Sequence, residues 1–420
     1  ILCEPSEFIE KKKKEILETF IGLIKARTEN PPGDVSSGIK IISGILDRYE
    51  IDYKIFEPEK GKQNLVASIG SGKTLILNGH IDVVPAGEKW TYDPFTGYIT
   101  ENKVYGRGTS DMKSGVVALL YSFLACASNP PGKIILSVVC DEETGGSLGS
   151  KYLLEKGEIF GDACLIAEPT GSLKTGKYYI IAGEKGALWV KLIARGKAAH
   201  GSIPMVGDNA IFKLTGVLNS FKDGILERVS VPPDAMKLVN NSKEWLSTLH
   251  PRAIETLDHL SINVGKISGG KKVNMVPDYA EAEIDIRIPL GTTALDALNI
   301  LRKRIPQNVD LEVIHAIEPS YIPSDHQLIK VMQKSGYRYL GYNPVPALMP
   351  ATTDARLFRM KNIPTINFGP GYLETAHTID EFVYIDDIIV FTKIYSRFIQ
   401  DFYMTKAMNG VSISRSVNPP

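Results

Sequence analysis
Two rhythms of apolar and polar residues divide this chain. In the first, apolar residues run without a break. Thr74-Leu75-Ile76-Leu77 leads into Asn78-Gly79-His80, residues 133–140 lead into Asp141-Glu142-Glu143, and Asp162-Ala163-Cys164-Leu165-Ile166 leads into Ala167-Glu168-Pro169. Runs of this kind suit strands buried on both faces of a mostly parallel sheet, where ligands gather beyond the carboxyl ends. Between them lie helical stretches. Ser6 is the expected N-cap of a helix whose face carries Ile9, Ile16, Leu17, Phe20, Ile21 and Ile24, ended by Asn30-Pro31-Pro32-Gly33. A second helix carries Ile42, Ile45, Leu46 and Tyr49, and short strands follow near residues 53–56 and 64–69. Helices alternating with buried strands through Glu168 indicate an α/β fold.

After Gly183-Glu184-Lys185-Gly186 the rhythm becomes a strict alternation. Residues 187–194, 261–267, 279–288 and 311–317 read as strands with one solvated face, and residues 209–221 and 294–304 as amphipathic helices. The resulting β-α-β-β-α-β order describes an inserted α+β domain. The expected division is a catalytic domain in two parts, 1–184 and 318–405, an inserted lid or dimerisation domain, 185–317, and a loose tail, 406–420. Residues 222–260 hold two Pro-interrupted amphipathic pieces to which the pattern gives no role. Buried-strand character returns at Thr365-Ile366-Asn367-Phe368, and a helix over residues 386–403 closes the fold.

A chain of 420 residues exceeds what one core usually organises, which agrees with two domains. Lys+Arg and Asp+Glu both number 48, so no net field draws the chain toward nucleic acid or anionic membrane. The expected partner is a small molecule. Cys126, Cys140 and Cys164 lie in apolar runs, and with Cys3 they form no Cys-x-x-Cys pair, which points to a reducing compartment. The most apolar helix, over residues 116–126, is far shorter than the ~20 residues of a membrane span. With no basic-then-apolar signal pattern at the start, the expected location is cytoplasmic.

Gly70-Ser71-Gly72-Lys73-Thr74 is not a phosphate loop, because Ala67 replaces its first glycine and a strand follows; a hairpin turn is expected. His80 has Asp82 two residues on, placed to accept a hydrogen bond from the ring nitrogen that faces away from a metal. Asp111 stands among glycines just before a helix, as a ligand or as an N-cap. Glu142 and Glu143 put like charges at one strand end, a conflict that a cation relieves. One carboxylate can then bind the ion while the other serves as a base. Cys140 has no basic neighbour to activate it as a nucleophile.

The ordered set of motifs resembles the M20 family of metal-dependent aminoacylases and carboxypeptidases, nearest the acetylornithine deacetylase and succinyl-diaminopimelate desuccinylase group. The matching stretches are Gly79-His80-Ile81-Asp82-Val83-Val84-Pro85 with Trp90, Pro94 and Phe95, then residues 106–115, Asp141 to Gly146 and Ala167-Glu168-Pro169. Further on come Gly196-Lys197-Ala198-Ala199-His200-Gly201, Asn274-Met275-Val276-Pro277, Asp285, Arg287, Thr352-Thr353-Asp354-Ala355-Arg356, Gly369-Pro370 and His377. The resemblance implies that His80 and Glu168 bind one metal, Glu143 and His377 the other, and that Asp111 bridges them. It implies Glu142 as general base, Asp82 as the residue orienting His80, and His200 as an oxyanion stabiliser reaching a partner subunit's site. Arg287 and Asn274 would hold the substrate carboxylate, and the Asp111-Met112 peptide would be cis.

The expected function is thus a dinuclear metal-dependent amidohydrolase that removes an acetyl or succinyl group from an amino acid such as acetylornithine or succinyl-diaminopimelate. Zinc is the first expectation, with cobalt or manganese as alternatives. A metallocarboxypeptidase and a catalytically silent binding protein of the same fold are the competing readings. A homodimer is expected through an unpaired edge of the inserted sheet, with hinges near residues 183–186 and Glu318.

Overall fold
In the computed structural model of the protein, residues 5–405 are described; Cys3 and the tail expected over 406–420 lie outside the described residues. Among the described residues the chain forms two compact units. One comprises the chain up to Ala182, Ile322–Ala347 and the chain from Thr353; the other comprises Gly183–Tyr321 and Leu348–Thr352.

The first unit is built on a mixed sheet whose strands run Tyr53–Phe56, Asn64–Ile69, Lys133–Val139, Thr74–His80, Ala163–Ser172, Thr365–Tyr372. The last four are mutually parallel; Asn64–Ile69 pairs antiparallel with Lys133–Val139, and Tyr53–Phe56 pairs antiparallel with Asn64–Ile69. Thr74–His80 and Ala163–Ser172 are buried at every position, which is why their sequences are apolar without alternation. Ser114–Ala127 is buried nearly all round and packs against Pro5–Lys25 and Ile385–Met404. Among the described residues no helix is long and apolar enough to cross a membrane.

Three local expectations change. Ser6 lies inside the first helix, Pro5–Lys25, instead of capping it. The same helix stops at Lys25, short of Asn30, because the chain there pairs with the loop after His80: Val83 N–H donates to Thr28 O (3.0 Å) and Asn30 N–H to Val83 O (2.8 Å). The Gly70-to-Lys73 turn does not close a hairpin. Strand Lys133–Val139 lies between the two strands it connects, and a Cβ on Gly70 would sit 2.0 Å from Gly132 O.

The second unit carries an antiparallel sheet in the order Ile225–Arg228, His259–Gly269, Tyr279–Ile288, Gly186–Arg195, Val309–Ile317. Helices Ala210–Leu218 and Ala294–Arg302 cover one face, burying Leu188, Val190, Leu192, Ile284 and Ile286 with Leu214, Leu298 and Leu301. The first strand comes from the stretch to which sequence gave no role, so the sheet has one strand more than the expected β-α-β-β-α-β pattern. Among the described residues Val309–Ile317 pairs on one side only, and it is mostly exposed.

Candidate metal centre
The site forms where the parallel strands of the first unit end. His80 is the last residue of its strand and is 1% exposed. Its Nδ1–H points at the main-chain carbonyl of Asp82 (2.9 Å), which leaves the Nε2 lone pair facing the carboxylates. Glu168 lies within the Ala163–Ser172 strand, with Oε1 3.6 Å from His80 Nε2. Gly115 lets the next helix approach that strand end, since a Cβ there would meet Ala167 O at 2.1 Å.

Asp111 is not an N-cap. It sits in the Thr109–Lys113 turn and splits its carboxylate between two histidines: Oδ1 lies 3.2 Å from His80 Nε2 and Oδ2 3.2 Å from His377 Nε2. The Asp111-Met112 peptide is cis, as the family resemblance implied, and so are Asn30-Pro31 and Pro31-Pro32. Lys113, fully buried, donates to Leu23 O (2.8 Å) and Ala26 O (2.9 Å) at the end of the first helix, where carbonyls otherwise lack partners.

The Lys133–Val139 strand turns sharply through Asp141, whose φ of 72° is a left-handed conformation that aspartate tolerates. The next two residues are Glu142 and Glu143. Glu143 Oε2 lies 3.2 Å from His377 Nε2, and Glu142 Oε2 lies 3.9 Å from His80 Nε2. His377 itself stands on a turn with φ 62° and is half-exposed, so the site opens to solvent on its side.

Two ligand groups therefore share Asp111: His80, Asp111 and Glu168, and Asp111, Glu143 and His377. Within each, one donor atom per residue lies within 4.8 Å of the others. Mixed imidazole and carboxylate donors suit divalent ions such as zinc. Electrostatics make the same point. Burial, then the charge of Asp111, pushes Glu168 up to about 8, and burial raises Glu142 well above the carboxylate range, His80 opposing and Glu168 adding. Hydrogen bonds to Asp111 and Glu143 push His377 up to about 11. For His80, burial favours the neutral ring, but Glu168 and Asp111 outweigh it and raise its pKa. For Asp111, burial is outweighed by the two imidazoles, which hold it far down. Packed acids that resist ionising, beside histidines that resist deprotonating, are a cluster that cations relieve.

Asp82 does more than the sequence indicates. Its Oδ1 is 3.5 Å from His80 Nδ1, beyond a direct hydrogen bond, because its carboxylate instead accepts the backbone N–H groups of Glu142 and Glu143, each at 3.2 Å. It thereby fixes the Glu142-Glu143 turn while its own carbonyl fixes the His80 ring. Asn30, which the sequence offered only as a helix stop, donates to Asp82 Oδ2 (2.9 Å) and accepts from Lys62 Nζ (3.2 Å). No sequence signal marks Glu381, whose Oε1 accepts the N–H groups of Ser110 (2.8 Å) and Asp111 (3.0 Å). Arg356, in the Thr352-to-Arg356 motif, donates to Gly145 O (2.9 Å) and steadies the glycines after Glu143.

The remaining expected site residues, His200, Asn274 and Arg287, belong to the second unit. His200 is exposed, with Nδ1 2.6 Å from Ser202 Oγ, and Asn274 lies beside it, since Gly201 N–H donates to Asn274 O (2.8 Å). Arg287 is elsewhere. It pairs with Asp285 (3.0 Å), whose other oxygen takes Trp189 Nε1–H (3.0 Å). Arg287 stands opposite Ala187 and Tyr279 opposite Arg195. That register separates Arg287 from the Tyr279 end, beyond which Asn274 lies, by roughly 27 Å of strand. The structure brings His200 and Asn274 together and leaves Arg287 apart, so within one chain Arg287 and Asn274 do not converge on a single carboxylate.

The profile of peptidase family M20/M25/M40 matches residues 76–401. A probable succinyl-diaminopimelate desuccinylase of Staphylococcus aureus (strain MRSA252) is 33% identical over 409 residues, covering 91% of this chain and 96% of that protein. Among solved structures, the M20 family metallo-carboxypeptidase Sso-CP2 from Sulfolobus solfataricus superposes with a TM-score of 0.75 at 21% identity, over 93% of this chain and all of that one. The di-peptidase Dug1p from Saccharomyces cerevisiae gives 0.76 at 17%, over 97% and 99%. The chain belongs to peptidase family M20/M25/M40, a family of metal-dependent hydrolases acting on amide bonds.

Proposed function
We propose that the protein is an N-acyl-amino-acid amidohydrolase that releases a succinyl or acetyl group from an amino acid of the succinyl-diaminopimelate or acetylornithine type. The observation that carries the reading is a carboxylate, Asp111, shared between two histidines and flanked by Glu142, which belongs to neither ligand group. His80 and Glu168 would hold one divalent ion, Glu143 and His377 the other, and Asp111 both. Once bound, the ions would polarise the amide carbonyl and acidify the attacking water.

Glu142 takes a proton from the water as its oxygen adds to the carbonyl carbon. The same carboxyl then delivers that proton to the leaving nitrogen as the C–N bond breaks, giving a carboxylic acid and a free amine, between which the acid's proton passes to leave carboxylate and ammonium. Burial favours this cycle, because raising Glu142 above the ordinary carboxylate range makes it a stronger proton acceptor. Asp82 keeps Glu142 and His80 in fixed relation through its carboxylate and its carbonyl. His200 offsets the negative charge growing on the carbonyl oxygen. The distance along the strand between Arg287 and Asn274 favours a homodimer in which each site draws His200 and Asn274 from one copy and Arg287 from the other. Zinc is the proposed ion.

Amine release from succinyl-diaminopimelate, acetylornithine and short peptides, measured with added zinc, cobalt or manganese, tests the reading. The expected result is turnover of an N-acyl amino acid well above that of peptides. Preferential release of C-terminal residues from peptides establishes the carboxypeptidase reading instead, and no turnover of any substrate by metal-loaded protein contradicts both.

A further inference from the structure
We infer that the buried ion pair of Arg107 and Glu381 is a positioning clamp that aligns the loops carrying Asp111 and His377, and so governs the ion held by Asp111, Glu143 and His377. The inference rests on the two-ion reading above. Glu381 is fully buried and Arg107 is 3% exposed; their charges meet at 2.7 Å. Glu381 spends its remaining capacity on one loop. Its Oε1 accepts the N–H groups of Ser110 (2.8 Å) and Asp111 (3.0 Å), and its Oε2 that of Gly108 (3.1 Å). The backbone of the shared ligand thus hangs from one carboxylate.

Arg107 ties in the other loops. Nη1 donates to Thr378 O (3.0 Å), next to His377, and Nη2 lies within reach of Ala86 O (3.4 Å), in the loop after Asp82. Trp90 adds a cover: its Nε1–H donates to the same Ala86 carbonyl (2.8 Å), and its ring lies 5.1 Å from the guanidinium. A buried ion pair is weak evidence of stabilisation by itself. What distinguishes this one is where its contacts go. His80 and Glu168 stand on paired strands, whereas Asp111 and His377 stand on turns. The clamp holds two of the three residues in the turn-borne group and one of the three in the strand-borne group.

The test is titration of metal-free protein with Co²⁺, followed by visible absorption and by competition with a chelator, so that the two ions are resolved without measuring turnover. The wild type is expected to take two equivalents. In Glu381→Gln the weaker equivalent should lose about 10–100-fold in affinity, the range typical for groups that orient ligands, while the tighter one stays within about threefold. Arg107→Lys keeps the charge but cannot reach two loops, and should show a smaller loss of the same equivalent. Folded variants that bind both equivalents as the wild type does, or that weaken both alike, overturn the clamp. Should Glu381→Gln fail to fold, Arg107→Lys decides by the same two affinities. A wild type that takes one equivalent only overturns the two-ion reading, a result visible before any substitution, and the clamp falls with it.

Discussion

His80 and His377 reach the same carboxylate from unlike ground. His80 ends a strand paired on both sides and is 1% exposed, whereas His377 sits on a turn at positive φ with its side chain half open to solvent. Glu168 resembles the first and Glu143, on its turn after Asp141, the second. One half of the site is positioned by sheet register, the other by buried polar groups such as Asp82, Arg107 and Glu381. The strand-borne half should therefore tolerate changes in its surroundings that the turn-borne half does not, and the two ions should differ in affinity.

The substitution expected to act most strongly is the one that removes what the halves share. Asp111→Ala should abolish binding of both ions and all activity, as measured by metal analysis after dialysis; retention of one tight ion breaks the picture of a shared ligand. His377→Ala should lose one ion and keep the other, whereas His80→Ala should weaken the tighter site. Equal losses in these two variants erase the distinction between the halves.

Mixing His200→Ala with Glu142→Ala subunits comes next. If His200 acts across a dimer, random exchange makes half the dimers mixed, each with one complete site, so activity should recover to about one quarter of wild type. No recovery after verified exchange places His200 in its own chain's site or outside the chemistry.

Protons provide a gentler probe. Without ions, Glu168 near 8 and His377 near 11 are largely protonated at pH 7, and both must be deprotonated to bind metal. Zinc binding at pH 7 should therefore release protons into weakly buffered solution, and affinity should rise with pH, more steeply below 8, where both groups are protonated, than above it. Affinity independent of pH between 6 and 8 contradicts the protonated cluster.

The contrast between the halves also governs what was legible in the sequence. Unbroken apolar runs ending at Asn78-Gly79-His80 and Ala167-Glu168-Pro169 announce buried strands and the residues at their ends. Nothing of that kind marks Asp111 or His377: the glycines around Asp111 leave it a ligand or an N-cap, and His377 is singled out by the ordered family motifs alone. Glu381 follows Asp380 before a short strand and looks like any solvated acidic pair; its partners at residues 107–111 are distant in sequence, and no periodicity encodes such a contact. Strand order is equally silent, which is why the Gly70 turn looked like a hairpin although Lys133–Val139 lies between its strands. In the second unit, Tyr279–Ile288 alternates strictly and is plain to read, but Ile225–Arg228 is four residues long with no alternation and passes unnoticed.

The division of labour within Glu142-Glu143 is the most direct test of the central claim, that one carboxylate is a base and its neighbour a ligand. Metal content and kcat should be measured together on Glu142→Ala and Glu143→Ala. The account predicts two ions in Glu142→Ala with kcat lowered by about 10²–10⁴-fold, the range for loss of a general base. It predicts that Glu143→Ala loses one ion. Equal metal loss and equal residual activity in the two variants would contradict it.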